Sequence, residues 1–202
     1  MARIIGLKNL HYAVLTSDTK EGVVFEDPKK IESAVNLDIK DNTEQVTFYS
    51  DDRVEQVINA FTGKEVTLEL GYLPNELEAI ITGNTYNSTT GIFSQDANAV
   101  APEIALLFEA PKSNGASRYG VLYKGVFAID GETYATQEDS VESQTVKLKG
   151  VFMPLIYNGR PSAKLDTDCE ASDTTAKTNW FKKVIVEGMN DTVSSSRTVS
   201  SK

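Results

Sequence analysis

Along much of this chain, apolar and polar residues alternate with the period of two that marks strands with one wet face. Ile31, Ser33, Val35, Leu37 and Ile39 alternate with Glu32, Ala34, Asn36, Asp38 and Lys40. The β-rich run EQVTFYS (44–50) follows an Asp41-Asn42 pair with turn chemistry, so 31–49 reads as a hairpin. Val66, Leu68 and Leu70 alternate with Glu65, Thr67 and Glu69. Ile104, Leu106 and Phe108 begin a second hairpin over 103–129, whose loop centres on Asn114-Gly115, a strong turn signal. Val146, Leu148 and Gly150 alternate with Thr145, Lys147 and Lys149, and this strand runs on into VFMPLI.

Within 112–127, KSNGASRYGVLYKGVF, alternation puts Tyr119, Val121, Tyr123, Gly125, Phe127 and Ile129 on one wholly apolar face. That face is expected in a core. The other face mixes Leu122 and Val126 with Arg118 and Lys124, as though partly covered by a helix or a neighbouring subunit.

One helical pattern stands out, LPNELEAIITG at 73–83, with the helix expected over 74–82. Pro74 suits a first helical turn, and Glu76 and Glu78 sit at the positive end of the dipole. Leu73, Leu77, Ile80 and Ile81 form a stripe, and Gly83 suits the C-terminal cap. Residues 50–63, SDDRVEQVINAFTG, have weak periodicity and read as a long loop, with a short helix as the alternative. After Tyr157 the chain turns polar, with one candidate strand at 180–187 and a Ser/Thr-rich end expected to be disordered. The fold expected is mainly β, a sandwich or barrel over 1–157 with one flanking helix, followed by an extension over 158–202.

Composition narrows the function. The 202 residues suffice for a buried core, and a single cysteine, Cys169, excludes an internal disulfide. The N-terminal stretch shows neither a signal-peptide pattern nor a membrane span, so synthesis in a cytoplasm is expected. A net charge of −9 argues against binding driven by phosphate neutralisation.

Catalytic patterns are sparse. The only histidine is His11, and a Cys–His dyad would require it to meet Cys169 in an acidic stretch that disfavours thiolate. The pairs Asp51-Asp52 and Glu138-Asp139 are adjacent on turns and point apart, which suits solvation better than catalysis. DTDCEASD (166–173) has acidic residues at calcium-loop spacing but lacks the glycine such a loop needs. No enzyme activity, cofactor or metal is expected.

Four blocks carry a family resemblance: GLKNLHYAVLTSD (6–18), VTFYSDDRVEQV (46–57), LELGYLPNELEAIITGNTY (68–86) and PEIALLFEAPKSNGASRYGVLYKGVF (102–127). In these the chain resembles the major tail proteins of long, non-contractile-tailed phages of Gram-positive hosts. The resemblance spans roughly residues 4–155. Two features depart from it: Arg53 stands where the pattern has glycine after the paired aspartates, and 156–202 is longer and more polar than the family core.

The resemblance implies a tail-tube-type β-sandwich or barrel. Such subunits form hexameric rings that stack into a tube, enclose the tape-measure protein and let DNA pass without specific binding. The implied partners are copies of the chain itself, the tape-measure protein, and tail-tip and tail-terminator proteins, with localisation in the virion tail and no membrane. In that frame Asp51, Asp52, Arg53, Val54, Val57, Ile58 and Phe61 are candidates for subunit or ring contacts. Glu32, Asn36, Asp38 and Glu44 are candidates for the lumen. The alternatives are a terminator or initiator ring of the same fold, or a β-sandwich binding module.

Overall fold

The computed structural model describes residues 2–50, 53–131, 145–169 and 174–189. Its elements are β1 (Lys8–Thr19), β2 (Gly22–Phe25), β3 (Lys29–Lys30), β4 (Ala34–Ser50), β5 (Arg53–Leu70), α1 (Asn75–Thr82), β6 (Thr85–Asn87), β7 (Ile92–Ser94), β8 (Ile104–Pro111), β9 (Ser117–Ile129), β10 (Val146–Met153), β11 (Ser162–Asp166) and α2 (Thr174–Asn179). Among the described residues the fold is mainly β, with one large antiparallel sheet and two helices, not the single helix expected: α2 lies in the polar segment after Tyr157, which has no apolar stripe to signal it. The sheet runs β2-β1-β8-β9-β10-β5-β4, with β11 added to β9 and β3 to β1, while β6 and β7 pair separately. Residues 31–33 alone join β3 to β4, so the two ends of the sheet lie no more than about 14 Å apart along the chain and the sheet curls.

The concave side encloses one apolar cluster: Leu10 and Tyr12 of β1, Val66, Leu68 and Leu70 of β5, Leu106, Leu122, Leu148 and Phe152, closed by Leu73, Leu77 and Ile81. The helix forms where the pattern predicts it, and Gly83 caps it in the left-handed region (φ 73°), its amide donating to the Ala79 carbonyl. A second cluster lies on the opposite side of β8 and β9. There Val23, Leu107, Val121, Tyr123 and Leu155 pack under Trp180 and Val186. Because β8 is buried on both faces, it reads as the near-continuous apolar run IALLF.

Three further sequence expectations need correction. The apolar face assigned to 119–129 does not stay on one side. Leu106 pairs with Leu122 but Ile104 pairs with Gly125, so Tyr123 and Lys124 oppose the single residue Ala105. This β-bulge flips the alternation. Val121 and Tyr123 enter the second cluster, and Phe127 enters the first with Leu122.

The Asp41-Asn42 turn is also absent, because β4 runs unbroken from 34 to 50. Asn42 pairs with Gly63 and Thr43 with Phe61, so the irregularity there is a bulge that leaves Thr62 unpaired. The Thr62 hydroxyl donates to the Asn42 carbonyl at 3.0 Å. Hence 53–63 is not a loop but the first half of β5.

Finally, 180–187 forms turns and extended chain after α2, with no strand. Trp180 anchors this segment as a strap, and the Tyr123 hydroxyl donates to the Ile185 carbonyl at 3.0 Å. Burial pushes that phenol up to about 12. The end expected to be disordered (190–202) lies outside the described residues.

Cross-strand phenylalanine–glycine pairs fill the floor of the first cluster. Phe108 faces Gly120, Phe152 faces Gly125 and Phe127 faces Gly150. A Cβ on Gly125 would sit 2.5 Å from the Phe152 ring. Phe152 is fully buried and has no room to retreat. Gly125→Ala is therefore expected to destabilise the chain by about 1–3 kcal/mol in urea unfolding, whereas Gly22→Ala, facing open space, should change it little.

Candidate assembly interface

The hairpin of β4 and β5 is far longer than the sheet that supports it. β10 pairs with β5 only from Lys64 to Leu70. Beyond that, among the described residues, 43–50 and 53–61 pair only with each other. Eight residues of β4 reach roughly 25 Å past the sheet. Two-stranded ribbons are marginal in water unless a third element covers a face. This one is rich in β-branched and aromatic residues (VTFYS, VEQVINAF). Val57 is 44% exposed and Phe61 is 40% exposed. The Lys64 ammonium lies 5.7 Å from the Phe61 ring centroid.

The contact candidates therefore gather on one arm. Arg53 opposes Ser50 at its far end, Val54 opposes Tyr49, Val57 opposes Thr47, Ile58 opposes Val46 and Phe61 opposes Thr43. Asp51 and Asp52 lie outside the described residues. A hairpin signal was present in the sequence, but the missing glycine at 53 and the bulge at Thr62 obscured it.

Asn36, Asp38 and Glu44 share the outward, exposed face of β4. Opposite Asn36 and Lys40 stand Glu69 and Glu65 of β5, and Lys147 and Lys149 follow on β10. Asp38 pairs with Lys40 at 3.2 Å, and Lys149 with Asp130 at 3.0 Å. This wet face thus carries both signs of charge in near balance. Glu32 lies apart, exposed between β3 and β4.

Strands β1 and β9 are joined by buried charge. The Asp18 side chain is only 3% exposed and accepts hydrogen bonds from Lys124 Nζ (3.0 Å) and the amides of Ile156 (2.9 Å) and Tyr157 (3.2 Å). Burial pushes this carboxyl up, but the Ile156 amide, Lys124 and the Tyr157 amide outweigh it, and the net shift is downward. Lys124 sits in the β9 bulge, so the residues that flip the alternation also carry the cation.

A second knot joins β11 to the β8–β9 turn. Arg118 grips Asp166 through Nε and Nη2, both at 2.7 Å, and Lys112 contacts Asp166 (3.1 Å) and Asp168 (2.6 Å). The Arg118 guanidinium above all holds the Asp166 carboxyl far below its usual range, against burial. Asp166 and Asp168, weighed above as calcium ligands, are thus committed to cations of the chain.

His11 donates from Nδ1 to the Asn9 carbonyl (2.9 Å), and its ring lies tilted against that of Phe181 with centroids 4.8 Å apart. Cys169 is exposed. Among the described residues no group of three or more His, Cys, Asp or Glu is placed to hold a metal. Also among them, no helix is long and apolar enough to cross a membrane. In comparisons with known proteins, no family model matches the chain and no curated protein matches it.

The depressed carboxyls fix a pH dependence. A carboxyl whose folded pKa lies below its ordinary value of 3.8 contributes stability above that value and loses it as pH falls through the folded pKa. Stability should therefore hold above about pH 5 and fall progressively below about pH 4. Asp18→Asn should cost about 1–3 kcal/mol at neutral pH and flatten that acid slope. Asp38→Asn, at an exposed pair, should cost less than about 1 kcal/mol. Urea titrations from pH 3 to 7 read both effects.

Proposed function

We propose that this chain is a structural subunit that assembles with copies of itself into hexameric rings, and that the rings stack into a phage tail tube. The tube encloses the tape-measure protein and conducts DNA during ejection, with the subunit folded as a tail-tube-type barrel and resident in the virion. The observation that carries the reading is the arm over 43–61. It exposes apolar side chains on a ribbon that its own sheet does not support, and another subunit would complete it. The sequence blocks at 6–18, 46–57, 68–86 and 102–127 support the same family.

The polar outward face of β4, β5 and β10 suits a channel wall. It sets Asp38, Glu65 and Glu69 beside Lys40, Lys147 and Lys149, and cations paired or flanked by carboxylates in this way offer DNA little net attraction. The proposed subunit performs no catalysis, and tail-tip and tail-terminator proteins would cap the two ends of the tube.

Negative-stain electron microscopy of the concentrated protein, alone and seeded with tail-tip complexes, tests this reading. Tubes or stacked rings with a central channel are expected. Single rings that never stack would indicate a terminator or initiator instead. Monomers in every condition, seeded or not, would contradict self-assembly. Removing 46–49 together with 54–58, which face each other with Glu55 as the bulged residue, shortens both arm strands by one matched block. It should abolish stacking while leaving the thermal unfolding midpoint within a few degrees, because these residues support nothing else in the sheet.

A further inference from the structure

At the root of the hairpin, where β5 ends and β4 begins, a groove of about 360 Å³ opens between β3 and the N-terminus of α1. Its walls carry Lys29, Lys30, Glu32, Glu76, Tyr12 and Tyr72. Three features mark it as unfinished. Two cations and two anions line it, yet among the described residues none of the four has an ion-pair partner. Tyr12 is 5% exposed and still lines the groove, and its hydroxyl has no hydrogen-bond partner among the described residues. That hydroxyl is not enclosed and opens on the groove, where an occupant can bond it. Helix α1 opens with Pro74, which supplies no side-chain cap, so its first-turn amides lack that acceptor. The groove rim also holds Ser33 in the left-handed region (φ 61°), a conformation that non-glycine residues adopt at a cost.

The opposite end of the same hairpin carries the complementary chemistry. The sequence Ser50-Asp51-Asp52-Arg53 joins β4 to β5, with two carboxylates followed by a guanidinium. Carboxylates suit Lys29, Lys30 and the positive end of α1, and a guanidinium suits Glu32 or Glu76. Tip and groove are separated by the full length of β4, roughly 50 Å, so they do not meet within one chain.

We infer that the groove between β3 and α1 receives the acidic hairpin tip of a second copy of this chain. This rests on the assembly reading above and gives it a direction. A tip at one end that fits a receptor at the other is a heterologous contact, and such contacts repeat without limit unless a rotation closes them. The arm then links successive subunits head to tail, and the charged groove fixes which end accepts which. Charge pairing of this kind sets register and excludes the reversed, tip-to-tip approach, where Asp51 and Asp52 of two copies would repel.

Charge swaps and a crosslink test the inference on the full chain, with assembly onset read by light scattering. Lys29→Glu with Lys30→Glu should raise the onset concentration at least about tenfold, and Asp51→Lys with Asp52→Lys should do the same. All four together should bring the onset back to within about threefold of the unmodified chain. Tyr12→Phe should raise it by about threefold. In a Cys169→Ser background, Lys30→Cys with Asp52→Cys should give a ladder of disulfide-linked dimers, trimers and longer species on oxidation. Either cysteine alone should stop at dimers. Circular dichroism melting confirms that each variant is folded.

If Lys29→Glu with Lys30→Glu assembles as the unmodified chain does and the paired cysteines give no ladder, the groove is not the receptor, and the tube reading stands without it. If both swaps weaken assembly but the combination restores nothing and no ladder forms, the groove serves a different occupant and the inference is overturned. If the unmodified chain never assembles, even with a seed, the tube reading falls and takes this inference with it.

Discussion

A β-ribbon is held by two things: hydrogen bonds to its neighbours and side chains packed against a covered face. In this protein the first outruns the second. From Lys64 to Leu70, β5 lies between β4 and β10, and Val66, Leu68 and Leu70 are fully buried beneath α1. Past Gly63 the same two strands stay paired to Ser50 and Arg53, with bulges at Thr62 and Glu55 and, among the described residues, no third strand, and Phe61 and Val57 are exposed. Apolar surface held out on a backbone-satisfied ribbon gains its stabilisation only when something covers it. The rest of the molecule serves as a rigid base for that arm.

The rigidity of the base comes from layering. Strands β8 and β9 are covered on both sides, by α1 and the curled sheet on one and by the Trp180 strap on the other. A single bulge at Tyr123-Lys124 makes this possible, because it lets one strand supply aromatic residues to both clusters in turn. The same bulge leaves Lys124 beside Asp18, whose remaining lone pairs take the Ile156 and Tyr157 amides. A buried carboxylate that is this fully satisfied rigidifies its surroundings, and an unsatisfied one would loosen them. Strand β9 is thereby tied to β1 and to the turn that leads into β11.

The sequence revealed the parts whose pattern is local. Helix α1 was legible from Pro74 to Gly83 because stripe, acidic first turn and cap all agree. Strands β8, β9 and β10 were legible from alternation and from Asn114-Gly115. What the sequence concealed was set by bulges, which insert one residue and reverse every later side chain. Thr62 hid the continuity of β5, so 50–63 read as a loop and Asp41-Asn42 as a turn. Tyr123-Lys124 hid the division of β9 between two clusters. The strap was unreadable for a different reason: Trp180 and Val186 are buried among residues of other elements, such as Val23, Leu107 and Val121, that are far away in sequence, and nothing local demands a strand there. The described contact candidates all fall on the arm, because apolar content in a segment can be read without knowing which element bears it. The groove residues Tyr12, Lys29, Lys30 and Glu76 carry no pattern in sequence, since β1, β3 and α1 meet only in the fold.

Hydrogen–deuterium exchange, compared between the lone chain and its assembled form, tests the central claim most directly. If the arm is a ribbon completed by another subunit, amides at 43–61 should exchange orders of magnitude faster than those of β8, β9 and β10 in the lone chain, and should become protected on assembly. Arm amides already as protected as the sheet in the lone chain, or still unprotected in assembled material, would contradict it.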